Sequence, residues 1–471
     1  DQMASDRFKT LACLRVDGKK AVADADGEVS EAIDFARYYA RTAEVPAGLN
    51  ATALGVVAVV SPWNFPYAIP AGGVLAALMA GNSVILKPAP ATVQTAWLLV
   101  QQLWRAGVPR EVLHFYPCGN EIGHLLITDS RVASVVLTGS FETAQKFQSW
   151  RPALPLFAET SGKNAIVITA QADRELAIKD LVRSAFGHAG QKCSAASLAI
   201  LEAEVYDDPV FRRQLRDAAA SLHVGPASDP RSVVTPTVME LTPKLQRALT
   251  SLDEGEEWLL EPRQSGADGC LWSPGIKLGV EVGSWFHQTE CFGPVLGLMR
   301  ADSLEQATQF QNATAYGLTA GIHSLDADEI AWWKQRVEAG NLYINRPITG
   351  AIVRRQPFGG WKRSCIGPGA KAGGPNYVLN FYHLSDEDAV AVDYQEAWDE
   401  HFSREHDPSQ LRSESNVFRY RPCRGVILRT SGADEKSIER ARLAARVTGT
   451  HLTISTTESE SDEAFIARLP E

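Results

Sequence analysis

Between residues 54 and 139, short runs of aliphatic and β-branched residues alternate with longer, helix-compatible ones: "LGVVAVVS", "IPAGGVLAALMAG", "NSVILK", "ATVQTAWLLVQQLWRAG", "VLHFYP" and "VASVVLTG". A strand-length run that is apolar at every position, such as LGVVAVV, suits a strand buried on both faces. Alternating with helices, such runs predict a parallel, doubly wound α/β sheet. Ligands of such sheets bind beyond the carboxyl ends of the strands, so the residues after each apolar run are the first places to look for chemistry. The glycine fingerprint GxGxxG is absent, and a dinucleotide bound here would be held in another way.

At 471 residues the chain exceeds what one core organises, so at least two domains are expected. A second α/β unit begins near "LPLFAETSGKNAIVIT" and runs to "GNLYIN". Residues 346–380, rich in Gly and Pro, read as a long ordered loop crossing between units, and "HDPSQLRSESN" as a polar linker. After it, "RGVILRT", "EKSIERARLAARVTG" and "HLTIS" predict a small β-α-β unit. The N-terminal aspartate suggests a fragment or a processed product.

Charge narrows the functional classes. With 46 basic and 56 acidic residues and no Lys/Arg-rich run, nucleic acid and anionic membranes are poor partners. The longest apolar runs are too short to span a bilayer, and the N-terminus lacks a signal-peptide shape, so no membrane insertion is expected. Seven scattered cysteines with no CxxC and no His/Cys cluster point to a reducing, cytoplasmic setting and to no metal.

One of those cysteines stands apart. In "GHAGQKCSA", Cys193 follows Gly187, Gly190, Gln191 and Lys192, where backbone can approach a ligand and a cation can favour the thiolate. Taken alone it is a nucleophile or an inert core thiol. Asn64 in "SPWNFP" is a turn residue or an oxyanion donor. Lys87 in "ILKPA" is a solvated strand end or a nucleotide contact. Ser140 in "LTGS", ahead of a helix predicted from Phe141, is an ordinary N-cap or part of a pyrophosphate site. Glu159 in "AETSGKN" is a surface carboxylate or a catalytic one. Glu290 and Phe292 in "TECFGPV" lead into a strand or line a site.

Taken together in this order, the motifs resemble the NAD(P)-dependent aldehyde dehydrogenase superfamily over roughly residues 20–385. "SPWNFP", "GQKC", "ECFGPV", "YGLTAG" and "PFGG" carry the resemblance, as does the interval from Glu159 to Cys193. "EAIDFARYYA", "AGQKCSA", "GNLYINRPITGAIVRRQPFGG" and "GPGAKAGGPNYV" are similar to the Δ1-pyrroline-5-carboxylate (L-glutamate γ-semialdehyde) dehydrogenase branch, which includes the dehydrogenase part of bifunctional proline-utilisation proteins.

The resemblance implies an α/β aldehyde dehydrogenase-like fold with five parts. These are a cofactor domain over 1–157 lacking its first portion, a catalytic domain over 158–345, and a substrate-anchor loop and return over 346–385. A linker over 386–416 and a partial C-terminal extension over 417–471 complete the chain. It implies Cys193 as nucleophile, Asn64 as oxyanion donor and Glu159 as the base that activates water. Ser61, Trp63, Lys87, Gly139, Ser140, Glu290 and Phe292 would hold NAD, preferred to NADP. Ser194, Gly373, Gly374 and Phe65 would contact the substrate, with backbone N–H groups of the glycine turn binding its carboxylate. FAD would belong only to a proline dehydrogenase domain outside this chain, and a homo-oligomer is expected.

Some positions depart from the family. Pro90 stands where a ribose-binding Glu is common, Thr235 where Gly is usual, and Arg346-Pro347 where Arg-Asn is frequent. The competing readings are another carboxylated semialdehyde as substrate and a non-catalytic scaffold. The retention of Cys193, Glu159 and Asn64 argues against the scaffold, and "CSA" with "KAGGP" against the other substrate.

Overall fold

A computed structural model describes residues 1–42, 49–266, 269–386, 393–430 and 435–467, in two compact units, Asp1–Leu384 and Ser385–Glu471. In the first unit, β1 (Val56–Val60), β2 (Ser83–Lys87), β3 (Leu113–Phe115), β4 (Val132–Thr138) and β5 (Leu156–Glu159) pair in parallel, in the order β5-β4-β1-β2-β3. The order reverses between β1 and β4, which creates a crevice at their carboxyl ends. Helices α1 (Val22–Thr42), α2 (Ala68–Met79) and α3 (Val93–Arg105) pack on this sheet around Phe35, Tyr39, Val59, Leu86 and Leu99. The paired glycines of α2 have a packing reason. A Cβ on Gly72 would sit 3.2 Å from the Phe35 ring, and one on Gly73 3.1 Å from Val59.

The second sheet comprises β6 (Asn164–Ile168), β7 (Ala196–Glu202), β8 (Glu257–Leu260), β9 (Gly275–Leu278), β10 (Val295–Ala301), β11 (Thr319–His323) and β12 (Asn341–Ile344). Its order is β12-β11-β6-β7-β10-β9-β8, and only β8 runs antiparallel. The short strand β13 (Cys365–Ile366) then returns to the first sheet and pairs antiparallel with β5, Cys365 opposite Glu159. The sequence reading divides "LPLFAETSGKN" at 157/158 and assigns it to the second unit. Instead Leu156–Glu159 belongs wholly to the first sheet, because its alternate residues Leu156 and Ala158 bury there, and the chain crosses at 160–163.

This connection sets the position of chemistry. Residues after β1, β2, β4 and β5 lie at carboxyl ends, as expected. The second sheet contributes its amino ends: Cys193 precedes β7, Phe292 precedes β10, and Asn164 and Asn341 open β6 and β12.

In the second unit, β14 (Gly425–Thr430) and β15 (His451–Thr456) pair in parallel across the helix Glu435–Thr448. A further helix, Asp462–Ala467, follows and was not expected from sequence. The stretch read as a linker is ordered in part: Asp407 accepts from the N–H groups of Ser409, Gln410 and Asn416, and His406 bridges to Phe418. Linker residues 387–392 lie outside the described residues.

Candidate active site

The turn that presents Cys193 is built from left-handed backbone. His188, Ala189 and Gly190 have φ of 53°, 52° and 67° in succession. Two of these are not glycine, a conformation that costs about 1–2 kcal/mol per residue and is held by its surroundings. Those surroundings are specific. Gln191 donates from Nε2 to the His188 carbonyl at 3.2 Å and accepts from Val238 N–H at 3.0 Å. Asn164, the first residue of β6, donates to the carbonyls of Cys193 (2.7 Å) and Ala195 (2.9 Å) while its Oδ1 accepts from Thr319 N–H.

The loop after β1 reaches this turn directly. Buried Asn64 donates from Nδ2 to the Gln191 carbonyl at 3.0 Å, and its second amide hydrogen has no acceptor among the described residues. Glu290 closes the other side, accepting from Gly162 N–H at 2.8 Å. Trp63 and Phe292 meet edge to face, with ring centroids 5.4 Å apart. Residues carried by both sheets therefore meet near Cys193.

The thiol itself is not a resting thiolate. Burial, then the carboxyls of Glu290, Glu159 and Glu31, push it up to about 12, against the pull of Ser194 N–H. The expectation that Lys192 favours the thiolate is corrected: its ammonium pairs with Asp24 of α1 at 2.6 Å. Asp24 is held down near 2 by Lys192 and His188 despite its burial.

Glu159 ends β5 with Oε2 accepting from Gly360 N–H at 3.1 Å. Burial raises it to about 8, opposed by that hydrogen bond and by Lys371. A carboxyl at that level can change protonation near neutral pH, which suits acid–base work.

The expected cofactor residues gather at the carboxyl ends of the first sheet. Ser61 N–H donates to the Lys87 carbonyl, and Gly139 N–H to the Glu159 carbonyl, both at 3.1 Å. The Ser61 hydroxyl is buried without a hydrogen-bond partner among the described residues. Ser140 caps the helix Phe141–Trp150, accepting from Thr143 N–H at 3.2 Å. Lys87 lies over Gly123, whose Cβ would be 3.3 Å from Lys87 Cε. An orphaned hydroxyl, a helix N-terminus and a lysine around one crevice fit a dinucleotide.

The substrate-side residues divide. The Ser194 hydroxyl has no hydrogen-bond partner among the described residues, although the residue is buried. Phe65 takes the Lys20 ammonium over its ring, 3.5 Å from the centroid. The glycine turn differs from expectation. Gly373 N–H donates to Tyr39 Oη at 2.9 Å and Gly374 N–H to the Lys371 carbonyl at 3.0 Å. Those N–H groups are engaged within the fold rather than free to bind a carboxylate.

Three residues escaped the sequence reading. Asn164 and Lys371 sit inside quoted motifs, but their contacts come from distant segments. Glu31 opens "EAIDFARYYA" and is raised to about 8 by burial and then by neighbouring Glu28. Its electrostatic contact with Cys193 brings α1 into the site.

Comparison with known proteins agrees with this architecture. The 1-pyrroline-5-carboxylate dehydrogenase of Geobacillus thermodenitrificans is 36% identical over 381 residues, 76% of this chain and 73% of that protein. The protein of the same description from Bacillus subtilis is 35% identical over 379 residues, again 76% and 73%. The structure of proline utilization A from Corynebacterium freiburgense superposes with a TM-score of 0.93 and 46% identity, covering 98% of this chain and 50% of that one. The chain thus spans half the length of that relative. A 1-pyrroline-5-carboxylate dehydrogenase from Thermus, solved with bound NAD, gives 0.75 and 33% identity over 82% of this chain and 78% of that one. Residues 1–385 match the sequence profile of the aldehyde dehydrogenase family, and the chain belongs to that family of NAD(P)-using enzymes.

Proposed function

We propose that the protein oxidises L-glutamate γ-semialdehyde, the open form of Δ1-pyrroline-5-carboxylate, to L-glutamate with NAD, the second step of proline catabolism. The observation that carries this reading is the gathering of Asn64 and Glu159 about the turn that presents Cys193, Asn64 by its hydrogen bond to Gln191 and Glu159 by its charge on the thiol. Cofactor binding is assigned to the carboxyl ends of the first sheet together with Glu290 and Phe292 ahead of β10, and the nucleophile to the turn ahead of β7.

Cys193 attacks the aldehyde carbon. Because its thiol is held high, the proton leaves to solvent during attack, which keeps Glu159 available as the base of the later hydrolysis. The free amide hydrogen of Asn64 and the Cys193 N–H hold the thiohemiacetal oxyanion. NAD, when bound, supplies the hydride acceptor. Ser61, Lys87 and Ser140 would hold its nucleotide portion, and Glu290, Trp63 and Phe292 its nicotinamide end. The thioester left on Cys193 is hydrolysed by water that Glu159 deprotonates.

Substrate choice follows from charge. The substrate's α-ammonium would pair with Glu31 by drawing its raised carboxyl into the ionised form, and its α-carboxylate with the Ser194 hydroxyl, while Gly373 and Gly374 shape the wall. The aldehyde would be delivered by a proline-oxidising domain or protein, which would carry its own flavin. A cytoplasmic homo-oligomer fits this role. Among the described residues no helix is long and apolar enough to cross a membrane.

The test is formation of reduced cofactor with glutamate semialdehyde, succinic semialdehyde and propanal, each with NAD and NADP. A preference for glutamate semialdehyde with NAD is expected. Equal turnover of all three aldehydes would overturn the substrate assignment.

A further inference from the structure

Lys371 is the one charged side chain of "AKAGGP", and no step above uses it. Its Nζ donates to the Gly340 carbonyl and lies 3.3 Å from Asn341 Oδ1. Asn341 in turn grips the PFGG turn, donating to the Pro357 carbonyl at 3.0 Å and accepting from Gly359 N–H at 3.2 Å. The next N–H along, that of Gly360, is the donor to Glu159. Packing joins the ends of this chain of contacts. A Cβ on Gly359 would lie 2.9 Å from Lys371 Cγ and 3.1 Å from Glu159 Oε1, so lysine stem, turn and carboxylate touch at one point.

We infer that Lys371 is a positioning residue for the hydrolytic half-reaction, fixing the turn against which the Glu159 carboxylate is held and supplying its compensating charge. This rests on the reading of Glu159 as the base. The titratable groups that interact with Glu159 are Lys371, Cys193, Cys365 and Tyr377. Of these four only Lys371 is cationic when protonated, and burial brings it down to about 8, against the pull of Glu159 and Cys365. Burial raises Glu159 and Lys371 opposes it, so removing the ammonium moves ionisation of Glu159 to higher pH. A lysine that merely fills space would leave that midpoint where it is.

Hydrolysis of p-nitrophenyl acetate isolates the step without cofactor or natural substrate. The Cys193 sulfur forms a bond to the acetyl carbon as the ester C–O bond breaks and p-nitrophenolate departs. Water then cleaves the C–S bond, giving acetate and returning a proton to the thiolate. The nitrophenolate burst reports acylation, and the steady rate reports release of acetate. In Lys371→Met the burst should persist while the steady rate falls about ten- to a hundredfold. Its pH midpoint should move up by about one unit or more. Lys371→Arg should recover most of the midpoint by restoring the charge. An unchanged rate and midpoint in Lys371→Met overturns the inference, as does loss of burst and steady rate together in both variants. If Cys193→Ala keeps the burst, the reading of the nucleophile itself falls, a result distinct from failure at Lys371.

Discussion

Asn64 donates its side-chain amide to the Gln191 carbonyl at 3.0 Å, tying the loop after β1 to the turn that presents Cys193. One hydrogen of the amide makes this bond, and the other, which has no acceptor among the described residues, is the proposed oxyanion donor. Asn64→Ala should therefore lower kcat by about a hundredfold or more, the usual effect of losing an oxyanion donor. Cofactor binding, measured by fluorescence quenching, should survive. A variant within a few-fold of the parent would remove Asn64 from the chemistry.

The environment of Cys193 makes a pH-dependent expectation. With the thiol near 12, its thiolate fraction and its alkylation rate should rise about tenfold per pH unit from neutral to alkaline pH. Glu31→Gln removes one of the carboxyls that raise the thiol and should speed alkylation above about pH 8, where Glu31 is ionised. Peptide mapping after iodoacetamide treatment checks both, with exposed Cys423 labelled first. A rate at Cys193 that levels off below pH 8 would contradict this picture.

These two cases mark what sequence can and cannot reveal. The buried strands β1 and β4 were legible because burial on both faces demands near-continuous apolar runs, here rich in valine. Cys193, Glu159 and Asn64 were legible because glycine- and proline-rich segments frame them. The charge around Cys193 was not, because the partner that removes Lys192 lies 168 residues away in α1. Asn164 was hidden for the same reason: its chemistry consists of two carbonyls, 29 and 31 residues downstream, that only folding delivers. The glycine turn looked like an anion cradle in sequence, yet Tyr39 and Lys371 already occupy its N–H groups.

Asn164→Ala should test that hidden support. It leaves the Cys193 and Ala195 carbonyls without their donor, at a cost of about 1–3 kcal/mol for each buried group left unpaired. Urea unfolding should show the loss, and turnover should fall with it because the Cys193 turn loosens. Unchanged stability would mean that the carbonyls find other donors.

Gly190→Ala should be more severe. At φ +67°, an added Cβ would lie 2.3 Å from the Gly293 carbonyl oxygen and 3.0 Å from that of Ala185. Both neighbours are backbone, so neither can rotate away. The left-handed strain alone costs about 1–2 kcal/mol, and the clash pushes the "GQKC" turn away from "ECFG". Poor soluble yield or a lowered melting temperature, with lost activity, is the expected result. A stable, active variant would show that the two loops can separate without consequence.

Substrate choice can be read at Ser194, beside the nucleophile. Its hydroxyl has no protein partner among the described residues, so a ligand that binds it displaces nothing. If it donates to the α-carboxylate of glutamate semialdehyde, that bond is charge-assisted and contributes about 1.5–3 kcal/mol. Ser194→Ala should then lower kcat/KM for glutamate semialdehyde by about ten- to a hundredfold, and change propanal, which has no carboxylate, far less. Glu31→Gln should produce the matching loss at the ammonium end, again sparing propanal. A purely structural role for Ser194 predicts something different, because a displaced Cys193 handles every aldehyde badly. The ratio of the two kcat/KM values separates these cases: a rise in relative preference for propanal supports recognition of the carboxylate, and equal losses reduce Ser194 to a support for its neighbour.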